Sequence, residues 1–225
     1  MLTGAPGRLA FPAPPPDAPP PSGLSPGVHR LASESGTAYL YVPGERPGPR
    51  PLLVVFHGAG GEARWMIDRL SAQAEARGVL LLAPQSAGPT WDLIRGEYGV
   101  DAAVLQQMLT VISTLFQVDP SRIGAAGFSD GASYALSLGL DNGDVFSSVM
   151  AFSPGFATLE HRKGSPRVFV SHGTADQVLN VDACGRAVVK RLRELGYGVT
   201  YQEFDGKHTL PPEVAAAATE WFTGS

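Results

Sequence analysis

From residue 37 onward, short apolar runs alternate with longer amphipathic ones. Residues 37–42 (TAYLYV) read as a strand closed by Pro43-Gly44. Residues 52–57 (LLVVFH) and 79–83 (VLLLA) are unbroken apolar runs, the pattern of strands buried on both faces. Between them, residues 62–77 read as a helix stopped by Gly78. In residues 101–116 the side chains Val104, Met108, Val111, Ile112 and Leu115 recur at helical spacing and mark one buried face. Residues 123–128 read as a strand and 131–140 as a helix. Residues 147–152 (SSVMAF) and 167–171 (RVFVS) follow as strands, 181–195 as a helix ended by Gly196, 199–204 (VTYQEF) as the last strand and 212–222 as the last helix. Strands alternating with helices predict an α/β protein whose mainly parallel sheet carries helices on both faces through right-handed crossovers. In such sheets ligands gather beyond the carboxyl ends of the strands.

Ahead of this pattern stands a proline-rich stretch at residues 12–26 (PAPPPDAPPPSGLSP) with no hydrophobic periodicity. It predicts extended polyproline or disorder, serving as an inert tail or a strap over the surface rather than as an SH3-type ligand. The chain therefore divides into a proline-rich segment, 1–27, and one folded domain, 28–225. Hydrophobic residues at 44 % and charged residues at 17 % suit a globular domain with a substantial core. A formal charge of −4, with no Lys/Arg cluster, speaks against a nucleic-acid partner. The single cysteine, Cys184, excludes an internal disulfide and reads as a small apolar helix residue, and no Cys/His cluster offers a metal site. No apolar run approaches the ~18 residues of a membrane span. Leu9-Ala10-Phe11 is too short for the core of a signal peptide, so a cytoplasmic location is expected. Monomer and homodimer fit the sequence equally.

The chemistry is carried by Gly127-Phe128-Ser129-Asp130-Gly131, at the corner between a strand and a helix. A serine turned sharply at such a corner presents its hydroxyl beyond the strand end, and the glycines two residues away let strand and helix pass closely. With 27 glycines in 225 residues the five letters alone are weak. Their position strengthens them, as do three other loops at strand ends: His57-Gly58-Ala59-Gly60-Gly61, His172-Gly173-Thr174-Ala175-Asp176 and Asp205-Gly206-Lys207-His208. Ser129, Asp176 and His208 stand in the order nucleophile, acid, base. Ser129 would attack an acyl carbonyl, His208 would relay its proton, and Asp176 would fix the imidazole tautomer. The pH–rate curve is then expected to rise as His208 becomes neutral. Asp182 is the alternative acid, but it reads as already inside a helix. His29, His57, His161 and His172 are alternative bases, of which His57 and His172 suit loop support by hydrogen bonding. Asp205 reads as a turn residue. The oxyanion of a tetrahedral intermediate needs backbone N–H donors, expected from Asp130 and from Ala59, with Gly60 as second choice. Candidates lining the substrate pocket are Gly60, Trp65, Trp91, Ile94, Phe156 and Leu210, each equally readable as packing.

At LLVVFHGAGG (52–61), GFSDGASYALSLGL (127–140), FSPGF (152–156), FVSHGTADQVL (169–179) and EFDGKHTLP (203–211) the chain resembles the α/β-hydrolase superfamily. It is most similar to the lidless serine esterases of the phospholipase/carboxylesterase and dienelactone-hydrolase-like group, close to poly(hydroxybutyrate) depolymerase-like esterases. The resemblance implies carboxylesterase activity on a small-molecule ester without a cofactor. It also implies catalytic roles for Ser129, Asp176 and His208 and oxyanion donors at Ala59 and Asp130. The group usually carries glutamine and a double glycine after the nucleophile, whereas Asp130, Gly131 and Ala132 stand here. A carboxylate beside an oxyanion is unfavourable, so Asp130 is expected to point away toward a partner. Thioesterase or acyltransferase chemistry would use the same triad. Two readings lie outside this chemistry. Gly58–Ala63 formally fits a dinucleotide-binding loop, but the next strand ends in Ala83-Pro84-Gln85 with no acid for a ribose. A non-catalytic protein of this fold would typically have lost a triad member.

Overall fold

The structure is a computed structural model in which residues 6–13, 23–159 and 161–224 are described. Eight strands form one sheet: β1 (Gly27–Ala32), β2 (Thr37–Val42), β3 (Arg50–Phe56), β4 (Leu80–Pro84), β5 (Val118–Phe128), β6 (Ser148–Phe152), β7 (Arg167–Gly173) and β8 (Val199–Phe204). Their order is β1-β2-β4-β3-β5-β6-β7-β8. β2 pairs antiparallel with both β1 and β4, and every other pair is parallel. β5 therefore lies at the centre, where the strand order turns back on itself, the place an open α/β sheet leaves for a ligand.

The helices are α1 (Ala63–Arg77), α2 (Val100–Leu115), α3 (Asp130–Asp141), α4 (Ala187–Glu194) and α5 (Pro212–Thr223). Successive residues of a strand point to opposite faces, so the apolar runs feed two cores. Leu52, Val54 and Phe56 of β3 join the core under α2, α3 and α4, while Leu53 and Val55 join the one under α1 and α5. Both faces are covered, which is why β3, β4 and β6 read as continuous apolar runs instead of alternating ones. No helix among the described residues is long and apolar enough to cross a membrane.

Four features depart from the sequence expectations. β1 was not expected, because its residues (GVHRLA) are only half-buried or exposed and carry no periodic signal at an edge. A short 3-10 helix spans Asp92–Arg95 in what reads as a loop. The helix expected over 181–195 opens as a π-helix, Asp182–Arg186, before α4. There the helix presses on β7 so closely that a Cβ on Gly185 would lie 2.5 Å from Nδ1 of His172.

The fourth concerns the amino-terminal segment, which residues 6–13 join to the domain. Leu9 is 4 % exposed and belongs to the α2–α4 core. The Arg8 guanidinium donates to the Asp141 carbonyl, to Asn142 and to Asp144. Asn142 in turn accepts from the Leu9 N–H and donates to the Gly7 carbonyl. The expected boundary at residue 27 is thus not a boundary of packing. An apolar leucine flanked by one arginine is too short a signal to be read as docking. Of the proline-rich stretch expected over 12–26, residues 14–22 lie outside the described residues.

Candidate active site

The corner at Ser129 is steric in origin. Ser129 has φ 58° and ψ −122°, a left-handed conformation rare for a residue with a side chain. Holding it there costs on the order of 1–3 kcal/mol, which the surrounding close packing sustains. A Cβ on Gly127 would lie 2.0 Å from the Gly131 carbonyl oxygen, and one on Gly131 would lie 2.2 Å from the Phe56 oxygen. Only glycine fits at either position, so the backbones of β5, β3 and α3 meet without side chains between them.

His208, in the loop between β8 and α5, reaches this corner. Its Nε2 is 2.9 Å from Ser129 Oγ, and its Nδ1 is 2.6 Å from Asp176 Oδ2. Asp176 lies just past β7. Its Oδ1 accepts the N–H groups of Val178 and Leu179, each at 2.9 Å. Burial pushes the Asp176 carboxyl up, but the Leu179 N–H, the His208 imidazole and the Val178 N–H outweigh it and hold it below the ordinary carboxylate range. It therefore stays ionised at neutral pH and is placed to accept an Nδ1–H from His208, an arrangement that would leave Nε2 free to accept from the Ser129 hydroxyl. Phe128 packs its ring 4.8 Å from that of His208, and Trp65 packs 5.2 Å from Phe128 in turn.

The rival residues are occupied elsewhere. Asp182 pairs with Arg186 at the surface. His29 bonds the Ser25 carbonyl, and His161 is exposed. His172 is fully buried, with Nε2–H donating to the Leu179 carbonyl at 2.7 Å and lying 3.3 Å from Asp176. It thereby supports the loop that carries the acid. His57 supports the opposite loop: Nδ1–H donates to the Gly58 carbonyl, and Nε2 accepts the Ser86 N–H. Burial lowers the His57 pKa, which keeps that acceptor nitrogen free of a proton. Burial and the nearby Asp176 charge push the Cys184 thiol up, away from a reactive thiolate.

Among the described residues, the N–H groups of Ala59 and Asp130 have no backbone acceptor, whereas that of Gly60 donates to the Pro89 carbonyl at 2.6 Å. Asp130 heads α3, where the first N–H groups are free by construction. Its carboxylate points away as expected, accepting from the Thr90 hydroxyl at 2.7 Å.

The pocket candidates divide. Trp65 is half-buried at the start of α1, and Phe156 is 40 % exposed in the loop after β6. Gly60 is exposed, with φ 63°, and Ile94 is half-buried against the core. Trp91 and Leu210 are corrected to core residues, each 1 % exposed. Trp91 stacks on Tyr134 with centroids 4.9 Å apart and donates its indole N–H to the His57 carbonyl, and Leu210 packs in the α1–α5 core. Both sit in loops by sequence, and nothing local distinguishes a loop tryptophan that turns inward.

Sequence reading missed the loop between β4 and the 3-10 helix. Gln85 accepts the Ala63 N–H, and its amide lies 3.0 Å from His57 Nε2. Asp101 of α2 accepts the N–H groups of Ala87 and Asp92, both at 2.8 Å. The short polar residues Gln85, Ser86, Thr90 and Asp92 were the only signal, and they read equally as a solvated connection.

Residues 95–160 match the family described as "Putative esterase", a stretch that contains Ser129. The chain is 30 % identical over 130 residues to the "Putative esterase NocK" of Nocardia uniformis subsp. tsuyamanensis, a match covering 54 % of this chain and 36 % of that protein. Among solved structures it is similar to the fluorophosphonate-binding serine hydrolase FphF of Staphylococcus aureus, with a TM-score of 0.73, 12 % identity and coverage of 89 % of this chain and 100 % of that one. The ferulic acid esterase AmCE1/Fae1A of Anaeromyces mucronatus superimposes with a TM-score of 0.69, 14 % identity and coverage of 97 % of both chains. The architecture is that of the α/β-hydrolase fold.

Proposed function

We propose that this protein is a serine hydrolase that cleaves small carboxylic esters, of short to medium acyl chain or with an aromatic acyl group, through an acyl-enzyme. The observation that carries the reading is the unbroken hydrogen-bonded line Ser129–His208–Asp176, with contacts of 2.9 and 2.6 Å. Ser129 Oγ attacks the ester carbonyl while His208 Nε2 takes its proton. The tetrahedral oxyanion accepts hydrogen bonds from the N–H groups of Ala59 and Asp130. His208 returns the proton to the departing alcohol, and the acyl group remains on Ser129. Water, deprotonated by the same imidazole, then releases the acid and restores the serine. Asp176 stabilises the imidazolium at both stages.

A fluorophosphonate probe should label Ser129, identified by mapping the modified peptide, and Ser129→Ala should abolish labelling. On p-nitrophenyl acetate or butyrate the same variant should lose about 10⁴–10⁶-fold in kcat. Labelling at another residue, or retained turnover by the variant, would refute the assignment. A panel of matched esters and thioesters of graded chain length then defines the acyl preference.

A further inference from the structure

We infer that Thr90 is a positioning residue for this reaction: its hydroxyl holds the Asp130 carboxylate away from the oxyanion hole. The inference rests on the ester-hydrolase reading above and concerns one consequence of it. Asp130 supplies an oxyanion donor with its N–H and carries a full negative charge on its side chain, a few bonds away. A carboxylate free to swing toward the developing oxyanion would oppose the charge that the N–H is there to stabilise.

The geometry fixes where that carboxylate goes. Thr90 has one hydroxyl hydrogen, and it is donated to Asp130 Oδ2 at 2.7 Å. A hydrogen bond to an ionised acceptor is among the stronger neutral-donor bonds. Thr90 itself sits on a loop with little slack. Its neighbour Pro89 accepts the Gly60 N–H at 2.6 Å, which ties the same crest to the loop bearing Ala59. Trp91 anchors the following position to the His57 carbonyl. Asp101 grips the loop at both shoulders through the N–H groups of Ala87 and Asp92. Two consecutive residues, Pro89 and Thr90, therefore touch the two segments that supply the oxyanion donors, and a carboxylate at 101 holds them in place.

The test is a double-mutant comparison of Thr90→Val and Asp130→Asn, read as kcat and KM on p-nitrophenyl butyrate. Thr90→Val keeps the shape of the side chain and removes the donor. It should lower kcat about tenfold, with KM within about twofold, because the loss falls on the transition state. Thr90→Ser should recover most of that loss. Asp130→Asn removes the opposing charge and should raise kcat about threefold. In that background Thr90→Val should cost no more than about twofold, since no charge remains to be restrained. The affinity for phenylboronic acid, whose serine adduct carries the tetrahedral negative charge, should follow kcat through the series. A role in packing alone predicts the same loss in both backgrounds, and that result would overturn the inference. So would a Thr90→Val enzyme within twofold of wild type, or an Asp130→Asn enzyme slower than wild type. Should Thr90→Val prove unstable in thermal melts, Thr90→Ala in the same two backgrounds makes the same comparison. Failure here with Ser129 still labelled leaves the esterase reading intact, whereas activity surviving Ser129→Ala removes both.

Discussion

The two flanks of Ser129 are built from different materials. On the β7–β8 flank the proposed working groups are side chains, Asp176 and His208; backbone N–H groups hold Asp176, which in turn holds His208. On the β3–β4 flank the proposed working groups are backbone N–H donors, and side chains hold the loops that carry them: His57 on the Gly58 carbonyl and the Ser86 N–H, Trp91 on the His57 carbonyl, Thr90 on Asp130. The supporting carboxylates differ in the same sense. Asp176 meets two N–H groups and an imidazole, and these hold its pKa below the ordinary value despite burial. Asp101 also meets two N–H groups, but burial outweighs them and its pKa is raised. The charge in the first case is the one the proposed reaction uses, and its donors compensate it. In the second it serves as a clamp and is only partly compensated.

The largest expected effect tests the side-chain flank. Asp176→Asn should lower kcat by up to ~10⁴-fold, because an asparagine lets the imidazole settle in the wrong tautomer. Asp182→Asn, on the surface ion pair with Arg186, should stay within about twofold of wild type. The reverse ranking, measured on the same ester, would assign the acid to residue 182.

The backbone flank should yield smaller losses from equally buried residues. His57→Phe removes the donor to Gly58 and leaves the Ser86 N–H without its acceptor. It should cost roughly 10–100-fold in kcat by loosening an oxyanion donor, together with about 1–3 kcal/mol of stability from the orphaned N–H. A loss as large as that of Asp176→Asn would place His57 in the proton relay and erase the contrast between the flanks.

The smallest effect is a pair of opposite pH slopes. Asp176 has a depressed folded pKa, so its contribution to stability is present above the unfolded value of about 3.9 and fades as pH falls through the folded pKa. The difference in melting temperature between wild type and Asp176→Asn should therefore shrink on acidification below about pH 4. Asp101 has a raised folded pKa, so its contribution is complete below about 3.9 and declines as pH rises through the folded value. The difference between wild type and Asp101→Asn should therefore shrink in the other direction, as pH rises. Parallel slopes in thermal melts would contradict the distinction between the two carboxylates.

The difference in materials also explains what could be read in advance. The central strands β3, β4 and β6 announce themselves because burial on both faces demands unbroken apolar runs such as LLVVF and SVMAF. The corner at Ser129 is legible because only glycine fits at 127 and 131. Asp176 and His208 are legible as candidates because acid–base chemistry calls for such side chains at strand ends. β1 is not, since a half-buried edge strand needs no periodic pattern. For Trp91 and Leu210 the sequence leaves pocket and packing equally open because both occupy loops, and each turns into a core. Local sequence carries no record of which way a loop side chain turns.

The amino-acid order by itself thus set the layered α/β architecture, the sharp turn at Ser129 and the identity of the three side chains that meet there. Each follows from a constraint that acts on single positions or short runs: burial, the room for a Cβ, the chemistry of an ionisable group. Tertiary structure alone decided that Leu9 docks into the core, that Asp101 grips the loop at 87–92, and that the Asp130 carboxylate is turned toward Thr90. Those contacts join segments 9 to 133 residues apart through a lone apolar residue or through polar side chains that suit water equally well, so only the folded chain determines which partner they take.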